Sequence, residues 1–277
     1  MTTDNIPHSV SGATAIQIAR GAALAAGKVL LDRFHQPKQV SFKSPGNIVT
    51  DVDRKIERQI LSTLSEQFPA TGLLGEESFG GKRDNGLTWV VDPIDGTRNY
   101  ASGIPFYSVV IGLALDGEPL CGVTYDPVRD EMFHAERGKG AFLNDQRITI
   151  SEKTALSDSV FGTDLSYNID GAANSLGVVR HVWPNMQTVR IMGSAALGIC
   201  YVAAGRTDLF FHHQLEPWDQ ITGLLLVEEA GGLATDRTGK RAQLYSDGLI
   251  ATNHTLHGLF MRATEGLPWR EPTSGLT

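Results

Sequence analysis

The sequence predicts an α+β fold, with an antiparallel-rich N-terminal half over residues 1–150 and a smaller α/β half over residues 151–277. Three observations carry this. Apolar residues recur at helical spacing early in the chain, short apolar runs joined by tight turns crowd its middle, and strand-like and helix-like runs alternate after Ser151.

A loose N-terminal tail is expected ahead of residue 11. Residues 11–34 then form an alanine-rich segment with Ile16, Ala19, Ala23, Ala26 and Leu30 at helical spacing, stopped by Pro37. A second helix is predicted over residues 50–68. Val52, Ile56, Ile60 and Leu64 line one face, Thr50 and Asp53 resemble a capping box, and Pro69 closes it. After a glycine-rich loop, strands are predicted over 88–91, 107–115, 120–125 and 131–135, with Asp116-Gly117 as a turn signal. Consecutive strands on short turns pair antiparallel. In the second half, strands at 160–163, 208–211 and 249–251 alternate with helices at 194–204 and 221–230, the latter ended by Gly231-Gly232.

With 277 residues, 41% hydrophobic and 20% charged, the chain has the composition of a globular protein with a sizeable core. Its formal charge of −7 argues against a nucleic-acid partner, which calls for a basic stripe. A small anionic substrate then needs local positive charge, and a bound metal would supply it. Cys121 and Cys200 lie singly in apolar runs and read as core thiols of a reducing compartment. No apolar run is long enough to span a membrane, and the first eight residues lack the basic start and apolar stretch of a signal peptide. A cytoplasmic protein with no membrane partner is expected.

Four acidic clusters stand out: Asp51 with Asp53, Glu76 with Glu77, Asp92 with Asp95, and Asp219 after Pro217-Trp218. Trp89-Val90-Val91 delivers Asp92 at a strand end, Pro93 turns the chain, and Asp95 returns to the same point. Gly96 and Thr97 follow, with backbone N–H groups able to face an anion. Carboxylates beside such amides repel phosphate unless a cation lies between, and oxygen ligands suit Mg²⁺. The alternative is an ordinary Asp-Pro-x-Asp-Gly turn. Asp53 and Asp219 could likewise be helix caps, and Glu76-Glu77 a solvated loop.

In combination these segments resemble the inositol monophosphatase family of lithium-sensitive, magnesium-dependent phosphatases. They are Ile-Val-Thr-Asp-Val-Asp at 48–53, Gly-Glu-Glu-Ser at 75–78 and Trp-Val-Val-Asp-Pro-Ile-Asp-Gly-Thr-Arg-Asn-Tyr at 89–100. Arg-Gly-Lys-Gly-Ala-Phe at 137–142, Gly-Ser-Ala-Ala-Leu at 193–197 and Pro-Trp-Asp at 217–219 follow in order. The resemblance implies a layered αβαβα sandwich, a homodimer, and Mg²⁺-dependent hydrolysis of a small phosphate monoester by a metal-activated water. It assigns Glu76, Asp92, the carbonyl of Ile94, Asp95 and Asp219 to the metals, and Asp53 with Thr97 and Glu76 to the attacking water. The phosphate falls to Gly96 and Thr97, with Asp95 and Asp219 also at the substrate, and its alcohol half to Gly193, Ser194 and Ala195. Lys43 aligns with a basic residue near the site, and Glu77 is expected beside it or in solvent rather than on a metal. No cysteine offers a rival nucleophile.

One position departs from the pattern. Many members place a glutamate that contacts inositol where this chain has His212, followed by His213. His212 is either a satisfied strand-end residue or a pocket residue retuned for another alcohol. Inositol 1-phosphate leads as substrate, histidinol phosphate is second, and fructose 1,6-bisphosphate and 3′-phosphoadenosine nucleotides trail. A relative that had lost turnover and served as a metal-binding regulatory protein would lack one of Glu76, Asp92, Asp95, Thr97 or Asp219, and all are present.

Overall fold

The computed structural model describes residues 6–78 and 86–271. In chain order the first elements are α1 (Ala15–Arg33), β1 (Val40–Ser44), β2 (Asn47–Thr50), α2 (Asp51–Gln67), β3 (Gly72–Gly75), β4 (Leu87–Asp95) and α3 (Thr97–Ser102). Next come β5 (Ser108–Leu115), β6 (Glu118–Asp126), β7 (Glu131–Glu136), β8 (Gly140–Leu143) and β9 (Gln146–Arg147). Then follow β10 (Val160–Thr163), α4 (Ile169–Val182), β11 (Thr188–Ile191), α5 (Ala195–Ala203), β12 (Leu209–His212) and α6 (Pro217–Glu229). The series ends with β13 (Leu233–Thr235), β14 (Leu249–Thr252) and α7 (His254–Ala263).

These elements stack as the αβαβα sandwich that the resemblance implies. Helices α1 and α2 cover one face of a seven-stranded sheet ordered β3-β4-β5-β6-β7-β8-β9, antiparallel throughout except for the β3–β4 pair. Helices α5 and α6 form the middle layer. Below them lies a five-stranded mixed sheet ordered β11-β10-β12-β14-β13, with α4 and α7 outside it.

Burial on both faces explains why β5 reads as a continuous apolar run rather than an alternating one. Val109, Ile111 and Leu113 point into the α1/α2 core, while Val110 and Ala114 pack with Trp218 and Ile221 of α6. The alanines of α1 are the complementary feature, since small side chains let the helix lie close on the sheet. On β12, Phe210 enters the middle layer, whereas Leu209 and Phe211 join Val178 of α4 and Phe260 of α7.

Several expectations need correction. Residues 6–14 are not loose: Val10 N donates to Gln67 O at 3.0 Å and Ser11 Oγ to Gln67 Oε1 at 2.7 Å, while residues 1–5 lie outside the described part. Most of the glycine-rich loop, residues 79–85, also lies outside it. Helix α6 begins at Pro217 rather than 221, because proline is accepted at the first helical position. The sequence reading missed the β1–β2 hairpin, β3, α4, β8, β9, β11, β13 and α7, whereas a helix or tight turn is expected from Gly96 and Thr97, where α3 starts. Among the described residues no helix is long and apolar enough to cross a membrane.

Candidate active site

Three elements bring the carboxylates together. Strand β4 ends in Asp92 and Asp95, with a break in register between them, so both reach the same side of the strand end. Helix α6 contributes Asp219 from its first turn, and one oxygen from each of Asp92, Asp95 and Asp219 lies within 4.8 Å of the other two. Glu76, just past β3, is the fourth member, anchored by its own N–H to Val91 O at 3.1 Å.

Each carboxylate is oriented by the local backbone. Asp92 Oδ1 accepts from Ile94 N at 2.9 Å. Asp95 Oδ2 accepts from the Ser194 hydroxyl, from Ala196 N at 3.1 Å and from Ser108 Oγ at 3.4 Å. Asp219 Oδ2 accepts from Glu216 N at 2.8 Å at the start of α6. Crowding and burial act together on the ionisation. Burial, then Glu76, Asp95 and Asp219, holds the Asp92 carboxyl well above its usual range, and burial with Asp95 does the same to Asp219. Burial also lifts Glu76, against the opposing pull of Lys43.

Lys43 on β1 reaches Glu76 at 2.6 Å and Glu77 at 2.7 Å. Burial pulls its ammonium down, but the two carboxylates hold it above its ordinary value. Glu77 is therefore not solvated. Its side chain is almost fully enclosed, and its N–H donates to Glu57 Oε2 at 2.6 Å.

Beside the cluster lies a hydroxyl–carboxylate pair. Thr97 Oγ1 is 3.0 Å from Asp53 Oδ1 and 2.9 Å from the Ile94 carbonyl, so its one proton faces two acceptors. Asp53 Oδ2 accepts from Thr50 N at 2.8 Å and contacts the Thr50 hydroxyl. Burial pushes the Asp53 carboxyl up to about 6, against the lowering effect of Thr50. Gly96, at φ 93°, starts α3 without a side-chain cap, and a Cβ there would meet Gly193 O and Phe106 O at 3.1 Å. The Gly193–Ser194–Ala195 turn thus abuts Gly96 directly.

His212 is buried at the end of β12, with its ring parallel to Phe210. Its Nδ1 accepts from Gln214 N at 3.2 Å, which assigns the neutral ring's proton to Nε2. Burial lowers its pKa to about 4, so it is uncharged at neutral pH and does not become cationic near 6.5. His213 turns the other way, toward Gly171 at the start of α4.

The model of the inositol monophosphatase family matches residues 13–268. The chain belongs to this family. The inositol-1-monophosphatase of Rhizobium meliloti is 42% identical over 236 residues, 84% of this chain and 89% of the relative. The fructose-1,6-bisphosphatase/inositol-1-monophosphatase of Thermotoga maritima is 37% identical over 220 residues, 79% and 82% of the two chains. The crystal structure of extragenic suppressor protein suhB from Bartonella henselae matches with a TM-score of 0.85 at 38% identity, covering 90% of this chain and 98% of that one.

As an inositol monophosphatase family member the chain is a phosphoric monoester hydrolase. The acidic cluster fits a metal on its own chemistry: its donors are all carboxylate oxygens, Asp92, Asp95 and Asp219 crowd together while Lys43 pairs with Glu76 at their edge, and hard divalent ions take such donors. Asp53, Thr97, Gly96, Ile94 and the 193–195 turn all gather around the cluster. Sequence reasoning missed Thr50, Ser108, Glu57 and Asp164. Thr50 was visible as a helix cap; the other three act through contacts distant in sequence and leave no local signal.

Proposed function

We propose that this phosphatase uses Mg²⁺ and acts on inositol 1-phosphate. The observation that carries the reading is the joint placement of Asp92, Asp95 and Asp219, with the Thr97–Asp53 pair on one side and the Gly193 turn against Gly96. Glu76, Asp92, the Ile94 carbonyl, Asp95 and Asp219 would hold the metal. When bound, Mg²⁺ supplies positive charge against the phosphate oxygens and makes water more acidic. Thr97 and Asp53 orient the attacking water: with the Thr97 proton given to one acceptor, the hydroxyl oxygen remains free to receive a hydrogen bond. The amides of Gly96 and Thr97 face the phosphate oxygens. The 193–195 turn lines the alcohol.

A second reading is histidinol phosphate, favoured by one observation: the neutral, buried His212 cannot offer the permanent negative acceptor that a family glutamate gives inositol. The bifunctional Thermotoga relative keeps fructose 1,6-bisphosphate on the substrate panel. Phosphate release from these esters is to be compared by kcat/KM with Mg²⁺ and with excess chelator. Inositol 1-phosphate is expected to rank first and turnover to vanish on chelation. Turnover that persists in chelator would sink the metal assignment, and a different leading ester would replace the substrate.

A further inference from the structure

Strand β10 ends at Thr163, and the next residue places a carboxylate against the turn that leads into α5. Asp164 is buried. Its Oδ1 accepts from Met192 N at 2.9 Å and from Gly193 N at 2.6 Å, while its Oδ2 is buried with no hydrogen-bond partner among the described residues. On the other side of the same turn, Asn99 Nδ2 of α3 lies 2.7 Å from Met192 O and 3.3 Å from Gly193 O. The turn is therefore gripped by its amides from one side and by its carbonyls from the other. Gly193 has φ 80°, a conformation other residues seldom hold, and Ser194 caps α5 directly after it. That same serine hydroxyl, and the Ala196 amide, are donors to Asp95.

A buried carboxylate with one oxygen unpartnered, facing the charge of Asp95, is costly to keep. Burial and Asp95 raise its pKa to about 7, although the turn amides pull it down.

We infer that Asp164 is a positioning residue: by clamping the Met192 and Gly193 amides it sets the turn that faces the substrate alcohol and, through Ser194 and Ala196, the carboxylate of Asp95. This rests on the proposed roles of that turn and of Asp95 as a metal ligand. The chain of contacts is short, and although Gly193 itself is exposed, Asp164, Ser194, Ala196 and Asp95 on either side of it are buried, so a shift at Asp164 passes to Asp95 with few ways to relax.

The test uses the full chain and the variants Asp164→Ala, Asp164→Asn and Asp164→Glu. It reads KM and kcat for inositol 1-phosphate, Mg²⁺ affinity by titration calorimetry, and the Tm of the metal-free protein. Asp164→Ala should raise KM about tenfold and weaken Mg²⁺ binding by a similar factor. Asp164→Asn, whose amide oxygen can still take both N–H bonds, should stay within about threefold of wild type. Asp164→Glu keeps the charge but moves the oxygens by a methylene and should resemble Ala; it carries the test if Ala does not fold. The inference is overturned if the Ala or Glu variant changes Tm alone and leaves KM and Mg²⁺ affinity at wild-type values. It is overturned equally if Asn is as impaired as Ala. A wild-type chain that binds Mg²⁺ but releases no phosphate would overturn the functional reading instead, and calorimetry on the variants would still decide the link from Asp164 to Asp95.

Discussion

Asp92 and Asp95 each commit one oxygen to the surrounding protein, Asp92 Oδ1 to Ile94 N and Asp95 Oδ2 to the start of α5. An Asn side chain at either position would keep its oxygen on that bond and turn its NH₂ group toward the cluster, where a donor cannot ligate a cation. Asp92→Asn and Asp95→Asn should each lower kcat by at least ~10²-fold, about 3 kcal/mol of transition-state stabilisation. Glu77→Gln keeps an acceptor for Lys43 and should lose less than about tenfold. Steady-state kinetics at saturating Mg²⁺ decides, and equal losses at all three would mean the cluster is misassigned. His212 gives a different residue-scale prediction. Its folded pKa of about 4 lies below the ordinary 6.5, so between these values the unfolded chain binds the extra proton and stability falls as pH falls. Wild type should lose up to about 3 kcal/mol relative to His212→Phe as pH goes from 7 to 4. Urea unfolding of both proteins across that range checks it, and parallel pH curves would show that His212 is not buried neutral.

At the scale of the element, the helix-cap reading and the functional reading turn out to describe the same atoms. Asp53 is the third residue of α2 and Asp219 the third of α6, and each returns one oxygen to the N–H at its helix start. That bond fixes the rotamer and leaves the other oxygen aimed at the site. This is why the site was legible in the sequence at Asp53, Asp92, Asp95 and Asp219: turns and caps place them locally. Asp164 and Glu57 were not legible, because each meets its partner only through tertiary contact. The β1–β2 hairpin escaped for another reason. Strand β1 is exposed along its whole length, so it carries no buried alternation for a pattern to show. Thr50→Ala tests the coupling of cap and site. It removes the acceptor of Val52 N and Asp53 N and one donor to Asp53, so stability should drop by about 1 kcal/mol. The Thr50 contacts also favour ionised Asp53, so the acid limb of the pH–rate profile should move to higher pH. A stability loss with an unmoved limb would separate the cap from the catalytic role.

Over the whole molecule, the cluster sits where three layers meet. Asp92 and Asp95 come from the large sheet, Asp219 from the middle helices, and the turn gripping Asp95 from the connection between the second sheet and α5. The layer order was legible because buried strands and amphipathic helices leave long patterns, whereas α4 and α7 were not, since each buries only a few residues on the outer face. Carboxylates that repel one another oppose this assembly until a cation joins them. Metal binding should therefore stabilise the fold as a unit. At a Mg²⁺ concentration one hundred times its dissociation constant the gain is about 2.7 kcal/mol, because only the folded chain presents the site. Calorimetric melting of the chelated protein with increasing Mg²⁺ should show a single transition moving upward. Asp219→Asn removes one repelling charge, so its metal-free form should melt at or above the wild-type temperature, yet gain little from Mg²⁺. A variant that is destabilised without metal and still gains the full Mg²⁺ shift would place Asp219 outside the metal site and leave its α6 cap as its only role.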